Sequence, residues 1–446
     1  MVKDEEIATS ENIVRSGSVA FALYAGGAGV AYCSQLVAAR FMGATSFGVY
    51  AYVLAWITVL AYFCALGFDI SLLRFVSAYK ATQRWDLLRG IVRYAEARVA
   101  IAGFSVAAIG IAAVLNHIIG TSQTARVFAI GFPLAPLLAL LWIRCSTVRA
   151  LGGLVSAIAP ERIIRDGGLI VVLSTFALTS NHGIGAPMAM FSVVISTILA
   201  LAIVTVSRRR RFVRTVSAAP PAYDRELWRR TAFPLMIITA VEILWNRTGV
   251  IVLGWLGDAR GAGLYSLAFS IAFVVALPRT AINAVFAPAI SDLFVRNRRG
   301  AMQMLMARAS FLTLISAFGL ALPLWLLAEP VLRLFGPEFV SAALLVRILL
   351  VGQVISSAFG SQLYVMTMTG EQTWAAAIIV ATVSANFLLT VWLTNHVGIA
   401  GAAAATATTL VLWNAAMAFF IRRRLFLWPS VIGFIAPAAP YSTSRM

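Results

Sequence analysis

Residues 241–257 read VEILWNRTGVIVLGWLG, an apolar stretch that carries Glu242, Asn246 and Arg247. A guanidinium at the centre of a membrane helix costs at least ~2.5–3.5 kcal/mol on insertion scales, so it needs a partner, a cavity or a ligand. Arginine offers a planar fork of donors that stays charged in a dry site, a match for phosphate oxygens. Glu242 stands five residues before Arg247, about 140° around a helix, which is poor geometry for a direct pair. Three readings of Arg247 therefore stand: a ligand-facing cation, an ion pair with Glu242 or another acid, and a packed side chain that snorkels outward. Arg279 repeats the pattern in ALPRTAIN, directly after Pro278. A kink beside a charge favours a cavity-facing position.

Other polar residues interrupt apolar runs. Arg144 and Arg165 lie near the ends of two runs, where they could capture an anion at entry or only mark the cytosolic side. Gln35, Asn283, Gln353, Asn386 and Asn414 are candidates for recognition spread along a cavity wall. Asp69, Arg74 and Asp292 sit close to a surface and read as structural, while Arg347 has Glu338 and Glu329 as candidate partners. The three histidines each follow an asparagine, in Asn116-His117, Asn181-His182 and Asn395-His396, and read as polar caps at the ends of apolar runs rather than as a pH gate.

The elements that must hold these residues follow from composition. The 446 residues are 61% hydrophobic and 12% charged, against about 25% charged in soluble domains. A water-soluble fold has too few interior positions for that many apolar side chains, so the chain is an integral membrane protein. Cys33, Cys64 and Cys145 are isolated and lack metal spacing, so neither a disulfide framework nor a metal site is implied. The polar, acidic start MVKDEEIATSENIVR reads as a retained tail rather than a signal peptide.

About 20 apolar residues cross ~30 Å of hydrocarbon. That criterion predicts twelve spans, near 18–40, 47–67, 99–116, 125–148, 163–180, 185–207, 232–256, 264–290, 309–328, 343–368, 374–394 and 397–421. They must be helices, because open strands leave backbone groups unpaired in lipid. With the N-terminus inside, every second connection is cytosolic. Those connections and the two tails then hold all of the 35 basic residues except Arg40, Arg126, Arg247, Arg260, Arg279, Arg333 and Arg347. This asymmetry predicts that both termini are cytosolic. It also explains the net charge of +18 without nucleic acid. The run RRRR at 208–211 reads as a topology anchor with some attraction to anionic lipid.

An internal repeat organises the spans. Asn181/Asn395, Gly183/Gly398, Gly48/Gly263, Tyr50/Tyr265, Arg15/Arg230 and Arg208/Arg422 all share an offset of 214 or 215 positions. Six spans per repeat is an even number, so the halves insert in the same sense, related by an axis along the membrane normal. The expected organisation is an all-α integral membrane protein of two six-helix bundles. Its parts are a cytosolic tail (1–17), a first bundle (18–207), a basic linker (208–231), a second bundle (232–421) and a cytosolic or interfacial tail (422–446). Transporters built this way bind substrate near the midplane between bundles. The longest outer connection, near 329–342, is too short for the catalytic loop of a polysaccharide polymerase, and no phosphate-cradling glycine loop is present.

The stretch RFMGATSFGVYAYVLAWITVLAYFCALGFDISLLRFVSAY (40–79) resembles the opening signature of the Wzx-type polysaccharide flippases, in the multidrug/oligosaccharidyl-lipid/polysaccharide (MOP) exporter superfamily. The marks are an Arg, a G-x(4)-G-x-Y turn after the first span, and an Arg-Phe close to the second. NRTGVIVLGWLGDARGAGLYSLAFS, EPVLRLFGPEF and GIAGAAAATATTL continue the likeness over roughly 15–425. The resemblance implies a flippase of polyprenyl-diphosphate-linked oligosaccharide in the bacterial plasma membrane, with a cationic cavity between bundles. It also implies membrane lipids and polysaccharide polymerase or export machinery as partners, and no cofactor. Arg247, Arg279, Arg144, Arg165, Asn246, Gln35, Asn283, Gln353 and Asn386 are then the candidate substrate ligands. Relatives often carry Asp-Arg where this chain has Asn246-Arg247, which leaves Glu242, with Asp69, as the candidates for ion coupling. A multidrug exporter of the same superfamily is the alternative, although those usually carry acidic cavity residues.

Overall fold

The structure, a computed structural model, describes residues 2–119, 122–179, 183–212, 216 and 219–434. Among them every regular element is helical. Two compact units divide the chain, residues 1–243 and 244–446.

The first unit contains α1 (Val2–Ala65), α2 (Phe68–Ala81), α3 (Trp85–Leu115), α4 (Ser122–Gly131), α5 (Leu134–Ala150), α6 (Leu154–Ala159), α7 (Arg165–Thr179) and α8 (Ala186–Arg211). A π turn, Pro160–Ile164, joins α6 to α7. The long α1 is two helices joined at Gly43, where φ is 71°. This is the turn the family likeness places after the first span, and glycine alone adopts that φ without strain. α5 forms the centre of the unit, packed against α1, α2, α3 and α8 and buried almost throughout. α9 (Arg225–Trp255) begins in the first unit, where Trp228 is fully buried and donates from Nε1 to the Tyr79 hydroxyl at 3.0 Å. The boundary between units falls inside this helix.

The second unit continues with α10 (Ala259–Phe273), α11 (Leu277–Val295), α12 (Arg299–Leu326), α13 (Ala328–Phe335), α14 (Ala343–Phe359), α15 (Gln362–Met368), α16 (Gln372–Val397) and α17 (Ile399–Leu425). Here α14 is central, against α10, α12 and α17. The connection expected near 329–342 is itself helical, as α13 and a 3-10 turn, with Leu332, Phe335 and Phe339 buried. The segment after α17 is docked rather than loose. The Gln303 side chain donates to the Trp428 carbonyl at 2.9 Å and accepts from the Trp428 N–H at 2.8 Å.

The internal offset recurs in the backbone. α2 closes at Gln83 and α11 at Asn297, both with φ of 55°. Each turn is sealed by a bond back to the helix, Arg84 N–H to the Tyr79 carbonyl and Arg298 N–H to the Leu293 carbonyl, both 2.9 Å. This is the C-terminal closure that satisfies carbonyls left open at a helix end. His117, also at positive φ, closes α3 in the same way, and Asn116 caps the Ala112 carbonyl. Those two residues cap a helix end, whereas Asn181 and His182 lie outside the described residues.

Ten helical segments among the described residues are long and apolar enough to cross a membrane. Their outer faces are apolar: Ile101, Phe104, Ile109 and Leu115 are exposed along α3, and Phe311, Leu312, Ile315 and Phe318 along α12. Apolar surface on that scale is not tolerated in water. The segment Ala22–Ala81 contains the Gly43 break and the Leu66–Gly67 turn. Gly67 has φ of 73°, and a Cβ there would lie 2.1 Å from the Ala232 carbonyl oxygen of α9. Gly67→Ala is expected to destabilise the protein by at least ~2 kcal/mol, from left-handed strain and overpacking together. Thermal unfolding in detergent measures it, and an unchanged midpoint would show that α9 can shift away.

Candidate functional site

Pro278 has no N–H to give to the carbonyl one turn earlier, which weakens a helix at that point. The chain tightens into a 3-10 turn at Val274–Ala276 and restarts as α11. That restart places Arg279 in the first turn of α11, half-buried. Its Nη1 donates to the Ser356 hydroxyl on α14 at 3.3 Å. Ser356 is fully buried and also accepts from Asn414 Nδ2 of α17 at 2.8 Å. One turn along α11, Asn283 accepts a hydrogen bond from the Ser361 hydroxyl. Ser361 lies just past Gly360, whose φ of 78° ends α14.

α11, α14 and α17 thus build one polar wall inside the second unit. Among the described residues no carboxylate pairs with Arg279. Such a site can bind an anion of several oxygens, since it offers a guanidinium, amides and hydroxyls. Among the described residues it holds no arrangement of nucleophile and base. Gln353 is buried one turn before Ser357 and accepts that hydroxyl at its carbonyl, 2.8 Å. Asn386 is fully buried; its Oδ1 accepts from Thr409 at 2.9 Å, while its Nδ2 has no partner. Ser356 and Ser361 carry no individual signal in the sequence. The signal was the density of small polar residues in QVISSAFGSQ (353–362), inside a predicted span.

The other candidates are distributed differently. Arg144 is neutralised: its Nε lies 2.6 Å from Glu96 Oε1 and its Nη1 donates to Thr205 at 2.6 Å. Arg165 pairs with Asp166 at 2.9 Å. Asp69 sits in the first turn of α2, where its backbone carbonyl accepts from the Ser146 hydroxyl at 2.5 Å. Arg347 pairs with Glu329, at 3.2 Å, rather than Glu338, and Asp292 pairs with Arg296 at 2.8 Å.

Glu242 is exposed and forms no hydrogen bond or ion pair among the described residues. With Asp69 and Glu161 it lies within electrostatic reach of the Tyr62 phenol, which stacks on Trp142 at 4.1 Å. Asn246 and Arg247 are half-buried on α9, and Arg247 is engaged within the protein. Gln35 is half-buried, with its Oε1 enclosed and unpartnered.

No curated protein sequence matches the chain. Among solved structures, it is similar to an inward-facing multidrug resistance MATE family transporter of the MOP superfamily, at 12% identity, covering 90% of this chain and 94% of that one, with a TM-score of 0.74. The lipid II flippase MurJ, in an inward closed conformation, matches at 13% identity over 91% of this chain and 87% of that one, with a TM-score of 0.64. A MOP superfamily transporter from Pyrococcus furiosus, described as having a binding pocket of reverse polarity, matches at 12% identity over 92% and 94%, with a TM-score of 0.58. At those identities the likeness shows the fold. Residues 13–294, more than half of the chain, match the polysaccharide biosynthesis protein family. With a MOP-transporter fold and a polar, cation-bearing wall in its second unit, this chain belongs to the polysaccharide biosynthesis protein family.

Proposed function

We propose that this protein is a flippase that carries a polyprenyl-diphosphate-linked oligosaccharide from the cytosolic to the outer leaflet of a bacterial plasma membrane by alternating access. It is a transporter and not an enzyme. In this reading twelve helices cross the membrane as two six-helix bundles, 18–207 and 232–421, with both termini cytosolic. The Gly43 break would divide the first long segment into two crossings, and Leu154–Thr179 would supply a further one.

The observation that carries the reading is Arg279, a half-buried guanidinium whose neighbour is a hydroxyl and not a carboxylate. A charge kept in that position suits a diphosphate, whose oxygens complete its hydrogen bonding during transport. Asn283, Gln353, Asn386 and Asn414 would then meet sugar hydroxyls, and Arg247, Asn246 and, in the first unit, Gln35 are the further candidate substrate ligands. Arg144 and Arg165, each paired with a carboxylate here, are the candidates for the entry side, and Glu242 with Asp69 those for ion coupling. A multidrug exporter shares the fold, but an uncompensated arginine repels the cations such proteins carry.

The test is the leaflet distribution of polyprenyl-diphosphate oligosaccharide in cells that lack this protein and have no redundant flippase. Accumulation on the cytosolic face, reversed by supplying the wild type, is expected. A normal distribution without the protein would transfer the chain to the drug-exporter reading.

A further inference from the structure

Basic residues outnumber carboxylates two to one in this chain, 35 to 17, and clustered arginines share the few carboxylates near them. Arg229 and Arg230 share Glu226, Arg296 takes Asp292, and Arg424 takes Glu371. One further cluster also lines a cleft. A cleft of about 370 Å³ opens between the basic ends of α3 and α8, lined by Arg89, Val92, Arg93, Glu96, Arg208, Arg209 and Phe212. Its single carboxylate is already engaged twice, by Arg208 at 2.5 Å and by Arg144 at 2.6 Å. Arg89 gives its Nη1 to the Ala219 carbonyl at 2.7 Å, which anchors the linker beside the cleft. Arg93 and Arg209 are exposed, and among the described residues neither forms a hydrogen bond or ion pair.

The cleft thus presents a surplus of fork-shaped donors over an apolar floor of Val92 and Phe212, with the Arg208 guanidinium 5.8 Å from the Phe212 ring. A volume of that size holds a phosphate ester with its neighbouring groups and is many times that of one water. Arginine is the residue suited to phosphate oxygens, and the apolar floor suits a ligand whose phosphate continues into a hydrocarbon part. The sequence marks RRRR as a topology anchor, but a folded cleft with two free guanidinium groups does more than bias insertion.

We propose that this cleft is a binding site for a lipid-borne phosphoryl group, the headgroup of an anionic phospholipid in the leaflet beside it. The site is separate from the Arg279 wall and does not depend on the flippase reading. Charge alone favours such binding by about 1 kcal/mol per basic residue near an anionic surface, so removing two free arginines weakens it about thirtyfold.

The experiment uses the full chain purified in detergent, with bound phosphatidylglycerol counted by native mass spectrometry across a titration. Arg93→Gln/Arg209→Gln is expected to bind phosphatidylglycerol about thirtyfold more weakly than wild type. Arg298→Gln/Arg423→Gln, which removes two exposed arginines elsewhere, is expected to bind as wild type. All four positions are exposed, so both variants are expected to fold, and thermal unfolding confirms it. Equal weakening by the two double variants would reduce the effect to general surface charge and overturn the proposal, as would no weakening by either. Phosphatidylcholine bound as tightly as phosphatidylglycerol would overturn it as well. Inorganic pyrophosphate is the last arm: bound at the same concentrations and lost in the same variant, it would assign the cleft to a free phosphate and overturn the lipid source.

Discussion

Replacing Arg279 with Ala is expected to slow translocation of the diphosphate-linked oligosaccharide about a hundredfold in proteoliposomes, at unchanged amounts of folded protein. The magnitude follows from two charge-assisted hydrogen bonds to phosphate at roughly 1.5–3 kcal/mol each, of which about 3 kcal/mol is lost. Arg279→Lys keeps the charge but not the planar fork, and should lose about tenfold. Stability supplies the sign that separates function from structure. An arginine that holds helices together destabilises them when removed. Arg279 has Ser356 as its hydrogen-bond partner, and Ser356 keeps its bond from Asn414 when the guanidinium is gone. The alanine variant should therefore unfold at the same temperature as wild type or higher, because a poorly paired charge has been taken out of a low-dielectric setting. Normal translocation with lowered stability would make Arg279 a structural residue.

Much of this architecture is legible in the residues. Apolar run lengths locate most helices, because lipid imposes a minimum length and forbids unpaired backbone. The helix start beside Arg279 is legible too, since Pro278 removes a backbone donor and suits the first turn of a helix. The offset that pairs Gly48 with Gly263 reappears as the paired turns at Gln83 and Asn297.

What a linear reading cannot supply is which charges meet. Glu96 attracts no notice in a run of mixed residues, yet it pairs with both Arg144 and Arg208, which lie far along the chain. Arg144 therefore looks available in sequence and is occupied in the fold. Gly360 is similarly silent. Its positive φ ends α14 inside one apolar run, and a Cβ there would meet the Ser310 hydroxyl. The break is what presents Ser361 to Asn283. A window of hydropathy sees such a run as one span because the backbone turn changes no side-chain polarity.

Glu96→Gln should destabilise the protein by about 3 kcal/mol, the largest stability effect expected of a single charge in the first unit. Breaking a buried pair by removing one partner typically costs ~3–5 kcal/mol, since the remaining charge stays desolvated. Here one carboxylate oxygen serves two guanidinium groups, at 2.6 and 2.5 Å. The side chains are 23% exposed for Glu96, 20% for Arg144 and 15% for Arg208, which places the loss at the lower end of that range. A neutral amide keeps the size of the side chain and one acceptor, so the change tests charge rather than packing. The Asp292–Arg296 pair is the comparison. Its side chains are 54% and 61% exposed, and breaking it should cost only about 0.3–0.5 kcal/mol. Adding Arg144→Gln to Glu96→Gln should restore part of the loss, because one stranded cation is removed and Thr205 can satisfy its own hydroxyl on the Leu201 carbonyl at 2.5 Å. Unfolding in a denaturing detergent reads all three. A loss below ~1 kcal/mol for Glu96→Gln, or a double variant weaker than both single ones, would mean that water already solvates these charges, and that the basic ends of α3 and α8 are held by their apolar neighbours instead.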